Sequence, residues 1–292
     1  MNAKDRRFAV LEGITAGMLF GTAAILIRLS ADLDAFSIAL WRLIIATALL
    51  VLIVLVFRKR PSVSLIRSDL GRLLILGVLL GIHFILFVSA VKDTTILNAT
   101  VLVNTTPIFS MTISTFVYRI RPSKLALGGI TLSFIGAGLI AYADAGRANQ
   151  ASLIGDLEAI LAAVAEGFYL NYGKQKHSNL PILPTMLFIY STAAILVGAT
   201  IISANKAFVV PSKLEILLPL VGLGILPTAA AHTLYFSSLS NLKSFETATM
   251  ALLEPLGATL LGVIIFLEVP APAFVLGAAL VLAGIFGVAS RD

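Results

Sequence analysis

The sequence predicts an all-α polytopic membrane protein, with ten transmembrane helices arranged as two inverted five-helix repeats over residues 1–145 and 150–292. Three observations predict it. The 292-residue chain is 59% hydrophobic and only 12% charged, with a mean hydropathy of +1.01. A soluble domain carries about 25% charged residues, because its surface faces water. Apolar stretches of bilayer-crossing length, about 20 residues, recur ten times, and the second half repeats prolines and glycines of the first at one spacing.

The first span, about 9–30, follows a basic segment, Met1 to Arg7, that lacks a small-residue cleavage site. It therefore reads as a retained helix rather than a signal peptide. The second (35–57) carries Trp41 and Arg42, the third (70–92) His83, and the fourth (94–118) Asn98, Asn104 and Pro107. The fifth (123–142) is marked by Gly129 and Gly136. The sixth (153–175) holds Glu158 and Glu166, and the seventh (181–203) is apolar. The eighth (214–240) contains His232 and Tyr235, the ninth (245–268) Glu254 and Pro255, and the tenth (271–289) closes the chain.

Orientation follows from the cations. With the N-terminus inside, fifteen Lys and Arg residues fall on the cytoplasmic side. Five, Arg28, Lys92, Arg147, Lys206 and Lys213, fall on the other, and Arg42 lies within a span. On connectors this short, the positive-inside rule puts both termini in the cytoplasm of a cell (inner) membrane. The same clustering accounts for the net charge of +6 as a topology signal, with no nucleic-acid partner.

The repeat has a definite register. Adding 148 carries Ser89 to Ser237, Pro107 to Pro255, Pro122 to Pro270, Gly129 to Gly277 and Gly136 to Gly284. Adding 142 carries Gly13, Gly17 and Gly21 to Gly155, Ala159 and Ala163. Five is odd, so the halves cross the membrane in opposite senses, and such repeats place a central site near the midplane at their interface. The small-residue ridges of the first and sixth spans let another backbone approach closely, which needs no ligand.

Ionisable groups at bilayer depth cost about 3 kcal/mol on insertion scales, so each needs a partner or a purpose. Glu254 falls mid-span before Pro255, whose ring frees carbonyls in the preceding turn. It can be a pocket wall, a proton acceptor or a packing group. Glu158 and Glu166 share one stripe of the sixth span, with Tyr169 nearby; Glu158 lies nearer the outer end and Asp156 reads as an interfacial cap. His83 and His232 are deep enough either to line a cavity or to join helices through a hydrogen bond, whereas His177 falls in a connector. Asn98 and Asn104, beside Thr100, Thr105 and Thr106, suit substrate contact or interhelical bonding. Trp41 reads as a belt aromatic or a stacking wall. Arg42 is too deep to snorkel easily and so binds an internal carboxylate or an anionic substrate group. Tyr235, beside Phe236, reads as packing or ligand contact.

Several chemistries are excluded. With no cysteine, thiol catalysis, disulfides and zinc clusters are absent. The three histidines show no metal-ligand spacing. There is no Gly-rich phosphate loop, no HExxH and no Gly-x-Ser-x-Gly, so neither a cofactor nor an intramembrane enzyme is expected.

Leu253-Glu254-Pro255, with Leu261-Gly262, Phe266-Leu267-Glu268 and Gly277 to Gly284, resembles the last two helices of an EamA-type transporter, of the drug/metabolite transporter superfamily. Thr95 to Ala99, Thr106-Pro107, Trp41-Arg42 and the run from Gly155 to Ala163 extend the resemblance over nearly the whole chain. Asn104-Thr105-Thr106 departs from it, being more polar than the family's usual fourth helix. The resemblance implies a secondary transporter of small amphiphilic metabolites such as amino acids, often exported, with protons as a candidate coupling ion. A channel and a non-transporting membrane protein remain the alternatives, with an intramembrane enzyme behind them. The candidate cavity residues are Glu254, Asn104, Glu166, His83, His232, Glu158, Trp41, Arg42, Asn98 and Tyr235.

Overall fold

Long apolar runs can satisfy their own backbone hydrogen bonds only as helices when no water is at hand, and no strand occurs among the described residues. The computed structural model describes residues 3–30, 32–57, 63–144, 152–175, 181–266 and 272–290. His177, Glu268, the connector at 145–151 and the two chain ends lie outside them.

Helix α1 (Ala3–Phe20) breaks at Gly21-Thr22 and continues as α2 (Ala23–Leu29). Helices α3 (Ala35–Val56) and α4 (Val63–Asp93) are continuous, and Asp34 caps α3 by accepting from the Phe36 and Ser37 amides. The next run is split into α5 (Ile96–Val103) and α6 (Thr106–Phe116). Pro107 has no N–H for the Val103 carbonyl, and the Thr106 hydroxyl takes that acceptor at 2.8 Å. Helices α7 (Lys124–Asp144), α8 (Leu153–Gln175) and α9 (Ile182–Ser203) follow.

The proline device recurs. Helix α10 (Leu214–Leu223) runs into a π-helical segment, Gly224–His232, and then α11 (Thr233–Ser238). Pro227 leaves the Leu223 carbonyl without its usual donor, and the Thr228 hydroxyl supplies one at 2.6 Å. Helix α12 (Ser244–Met250) passes through a 3₁₀ turn, Ala251–Leu253, into α13 (Glu254–Phe266), and α14 (Pro272–Ala289) ends the described chain.

Six runs among the described residues are long and apolar enough to cross a bilayer: Asp5–Leu29, Ala35–Val56, Arg67–Asp93, Ile182–Ser203, Leu214–Ser238 and Pro272–Ala289. Fewer pass than the ten stretches read from sequence. The reasons are local. The stretch at 94–118 is divided at Asn104-Thr105, α8 carries Asp156, Glu158, Glu166 and Lys174, and α7 gives a shorter apolar helix, Lys124–Leu139.

Packing exchanges the two halves. Helix α1 lies on α11, α12, the 3₁₀ turn and α13, while α8 lies on α4, α5 and α6. The small residues make this possible: a Cβ at Gly17 would collide with the Met250 carbonyl, and one at Gly155 would come within 2.7 Å of the Thr94 amide nitrogen. Helices α7 and α14 meet most extensively. Gly136 faces Gly277, Gly129 faces Gly284, and the Ser133 hydroxyl between them donates to the Val281 carbonyl at 3.1 Å. Residue 281 is 133 plus 148, and Gly277 and Gly284 are 129 and 136 plus 148, so the two glycine contacts exchange under that offset.

Candidate functional site

The helix breaks converge on one interior cavity. Its walls come from Phe20 and Ala23 at the α1–α2 break, Arg42 of α3, and His83 and Phe87 of α4. Val103 and Asn104 come from the α5–α6 break, Glu166 from α8, His232 from the end of the π segment, and Ala251 and Glu254 from the 3₁₀ turn and α13. The cavity measures about 30 Å³, room for about two waters. A metabolite therefore needs the walls to part.

The acidic side is built from two carboxylates held by neutral donors. Asn104 Nδ2 donates to Glu254 Oε2 at 3.1 Å, and the Thr106 hydroxyl lies 3.1 Å from Glu166 Oε2. Glu254 is 6% exposed, and its Oε1 is buried with no hydrogen-bond partner. His83 Nδ1 lies 3.0 Å from the Ala162 carbonyl and 3.9 Å from Glu166 Oε2. The nearer carbonyl fixes the proton on Nδ1.

The basic side is Arg42. Its guanidinium is 1% exposed, its Nε donates to the Thr228 hydroxyl at 2.9 Å, and its Cζ stands 3.9 Å over the Phe84 ring. Among the described residues no carboxylate lies within ion-pair distance of Arg42, and Nη1 is buried without a partner. The His232 ring sits edge-on to Phe20 and Phe84 at 4.8 and 4.9 Å, with Nδ1 unpartnered. Burying a polar group without a partner is costly. Arg42, His232 and Glu254 each carry such an atom at this one cavity.

Six of the ten residues singled out in the sequence thus line one space: Glu254, Asn104, Glu166, His83, His232 and Arg42. Tyr235 stands behind it, buried, 5.2 Å edge-on to Phe20, its hydroxyl unpartnered. Asn98 lies elsewhere, donating to Asp156 at 3.1 Å, where Thr94 also donates at 2.8 Å. Glu158 is half-buried toward the same end of α8, with Oε2 unpartnered. Trp41 is not a cavity wall: its indole N–H donates to the Val209 carbonyl at 3.0 Å and its ring stacks on Phe208.

Sequence reasoning missed Thr228, which holds Arg42, although a hydroxyl beside Pro227 in an apolar run was a usable signal. It also missed Asn171 of α8, which accepts from Ser114 at 2.6 Å and Ser244 at 2.8 Å while donating to Ser110. That cluster ties α6, α8 and α12 beyond the cavity. No group of three or more His, Asp or Glu side chains suited to a metal occurs among the described residues.

The model of the family described as the EamA-like transporter family matches residues 7–142 and again 153–290. The uncharacterized transporter YwfM of Bacillus subtilis (strain 168) is 27% identical over 207 residues, 70% of this chain and 68% of that protein. The uncharacterized transporter YxxF of the same organism is 22% identical, over 89% of this chain and 83% of its own. An uncharacterized transporter of Archaeoglobus fulgidus is 25% identical over 87% and 88% respectively. A chain from a solved crystal structure is similar with a TM-score of 0.79, 21% identity and coverage of 96% of this chain and 95% of that one. At that identity the likeness establishes the fold alone.

Proposed function

The chain belongs to the EamA-like transporter family, and from that membership we propose that it is a secondary carrier exporting small amphiphilic metabolites, amino acids or close relatives, by alternating access around the Arg42–Glu254 cavity. The protein is a multi-pass membrane transporter rather than an enzyme. Beyond that, the proposed architecture is ten spans in two inverted five-helix repeats, at residues 1–145 and 150–292, in the cell (inner) membrane with both termini cytoplasmic. The two family matches and the matched contacts of Ser133, Gly129 and Gly136 support the repeat.

One observation carries the substrate class. A buried cation with no carboxylate partner and a buried carboxyl with one free oxygen face the same cavity. A zwitterion brings a group for each: its carboxylate meets Arg42 and His232, and its ammonium meets Glu254, with Glu166 behind. A bidentate guanidinium–carboxylate contact suits the planar fork of Arg42. Glu254 is also the group placed to exchange a proton during the cycle, since a neutral carboxyl is accommodated far more cheaply there than an ionised one. Saturable uptake and counterflow in proteoliposomes test this reading. A carrier gives both, and linear flux without counterflow would overturn it in favour of a channel.

A further inference from the structure

Far from the central cavity, the first turns of α1 and the last turn of α14 part around a second cavity of about 510 Å³. Arg6, Arg7 and Leu11 line one wall, and Phe286 and Ala289 the other. Its volume is that of a ligand site, about 300–1,000 Å³. It lies at the ends of two bilayer-crossing runs, Asp5–Leu29 and Pro272–Ala289, and therefore at the level where hydrocarbon gives way to headgroups.

Among the described residues, the charges there do not balance. Arg6 forks onto Glu246 at 3.2 and 3.1 Å and reaches the Ala289 carbonyl at 3.3 Å. Glu246 thus neutralises Arg6, whose Nε stays buried without a partner. Arg7 is exposed and makes no hydrogen bond or ion pair among the described residues. Among the described residues, the groove keeps one cation without a partner. Beside it Leu11 is 58% and Phe286 75% exposed, an apolar surface that water would penalise and an acyl chain would cover.

We propose that this groove holds one anionic phospholipid, its phosphate on Arg7 beside Arg6 and an acyl chain along Leu11 and Phe286. Basic pockets between helix ends at a membrane surface select anionic headgroups. A zwitterionic lipid places its own cation among the arginines and so fits less well. A soluble phosphate would satisfy Arg7 but leave Leu11 and Phe286 bare. The assignment is independent of what the central cavity carries.

Native mass spectrometry of protein extracted from vesicles of equal parts phosphatidylglycerol and phosphatidylcholine tests it. The wild-type protein should retain phosphatidylglycerol in preference. Arg7→Gln, which removes no bond among the described residues, should lower that preference by about fivefold, the worth of one juxtamembrane cation at an anionic surface. Phe286→Ala should reduce total retained lipid while keeping the preference. Equal retention of the two lipids by the wild type would overturn the proposal, as would a preference unchanged in Arg7→Gln. Thermal stabilisation by inorganic phosphate equal to that by phosphatidylglycerol would overturn it in favour of a soluble-anion site.

Discussion

Asn104 Nδ2 donates to Glu254 Oε2 at 3.1 Å, joining two residues 150 positions apart in sequence. Both stand at helix interruptions next to repeat-related prolines, Pro107 and Pro255. The bond uses one carboxyl oxygen and leaves the other free. It therefore orients Glu254 toward the cavity without satisfying it, and it couples the two breaks that must move if the cavity is to open.

Glu254→Gln keeps the shape of this contact and removes the ionisable group. Accumulation driven by a pH gradient should be lost in proteoliposomes, and the apparent affinity of exchange should fall, because the substrate ammonium loses its charged partner. Exchange with wild-type affinity would remove Glu254 from substrate contact and leave it a proton-coupling role alone. Wild-type accumulation would reduce it to packing.

Cysteine placed singly at positions 104, 166 and 232 should react with a small aqueous thiol reagent, in a chain that otherwise has no cysteine. Bound substrate should slow the reaction. These positions are buried, so labelling in active protein reports opening. Three inert positions would show that the polar cluster only holds helices together.

Gly136→Ala should destabilise the protein, because the added Cβ would stand 2.6 Å from the Gly277 carbonyl oxygen and 2.7 Å from the Val281 nitrogen. Backbone cannot yield as a side chain can, and overpacking of this kind costs about 1–3 kcal/mol. Gly71→Ala is the control. Nothing lies within 4 Å of its added Cβ, and helix propensity favours alanine by about 1 kcal/mol. Thermal unfolding in detergent should move in opposite directions for the two.

Glu246→Gln should also destabilise, by about 3 kcal/mol, the cost of stranding one member of a buried ion pair. Glu246 accepts from Arg6 and from the Lys243 amide at 2.8 Å, so the ionic tie between α1 and α12 is lost. An unchanged unfolding temperature would show the pair to be incidental.

The deep polar residues were legible in the sequence for one reason: a charge or amide inside an apolar run is conspicuous. Glu254, Glu166, Arg42, His83, His232 and Asn104 stood out, and all line the cavity. The apolar half of that wall, Phe20, Phe87 and Val103, was not legible, because nothing in an apolar run marks which face turns inward. Trp41 was read as a belt aromatic or a stacking wall of the cavity, yet α3 begins only six residues before it at Ala35, which leaves it within reach of Val209. Asn98 and Asn104 are alike in composition but separated by most of α5, and only tertiary packing sends one to Asp156 and the other to Glu254. The π-helical stretch at Gly224–His232 likewise depends on Pro227 and its neighbour Thr228 acting together.

The central claim is that Arg42 receives the carboxylate of a zwitterionic substrate. Counterflow of a panel of labelled amino acids in proteoliposomes, wild type against Arg42→Gln, tests it most directly. The account predicts saturable counterflow for at least one amino acid and a loss of apparent affinity of about thirtyfold or more in the variant, the scale of removing one partner from a buried charge contact, about 2 kcal/mol. Arg42→Gln also gives up the Thr228 hydrogen bond and the contact over Phe84, so the variant's unfolding temperature is measured alongside to confirm that the affinities compared are those of folded protein. Counterflow with wild-type affinity in Arg42→Gln, or no counterflow with any zwitterion in the wild type, would contradict it.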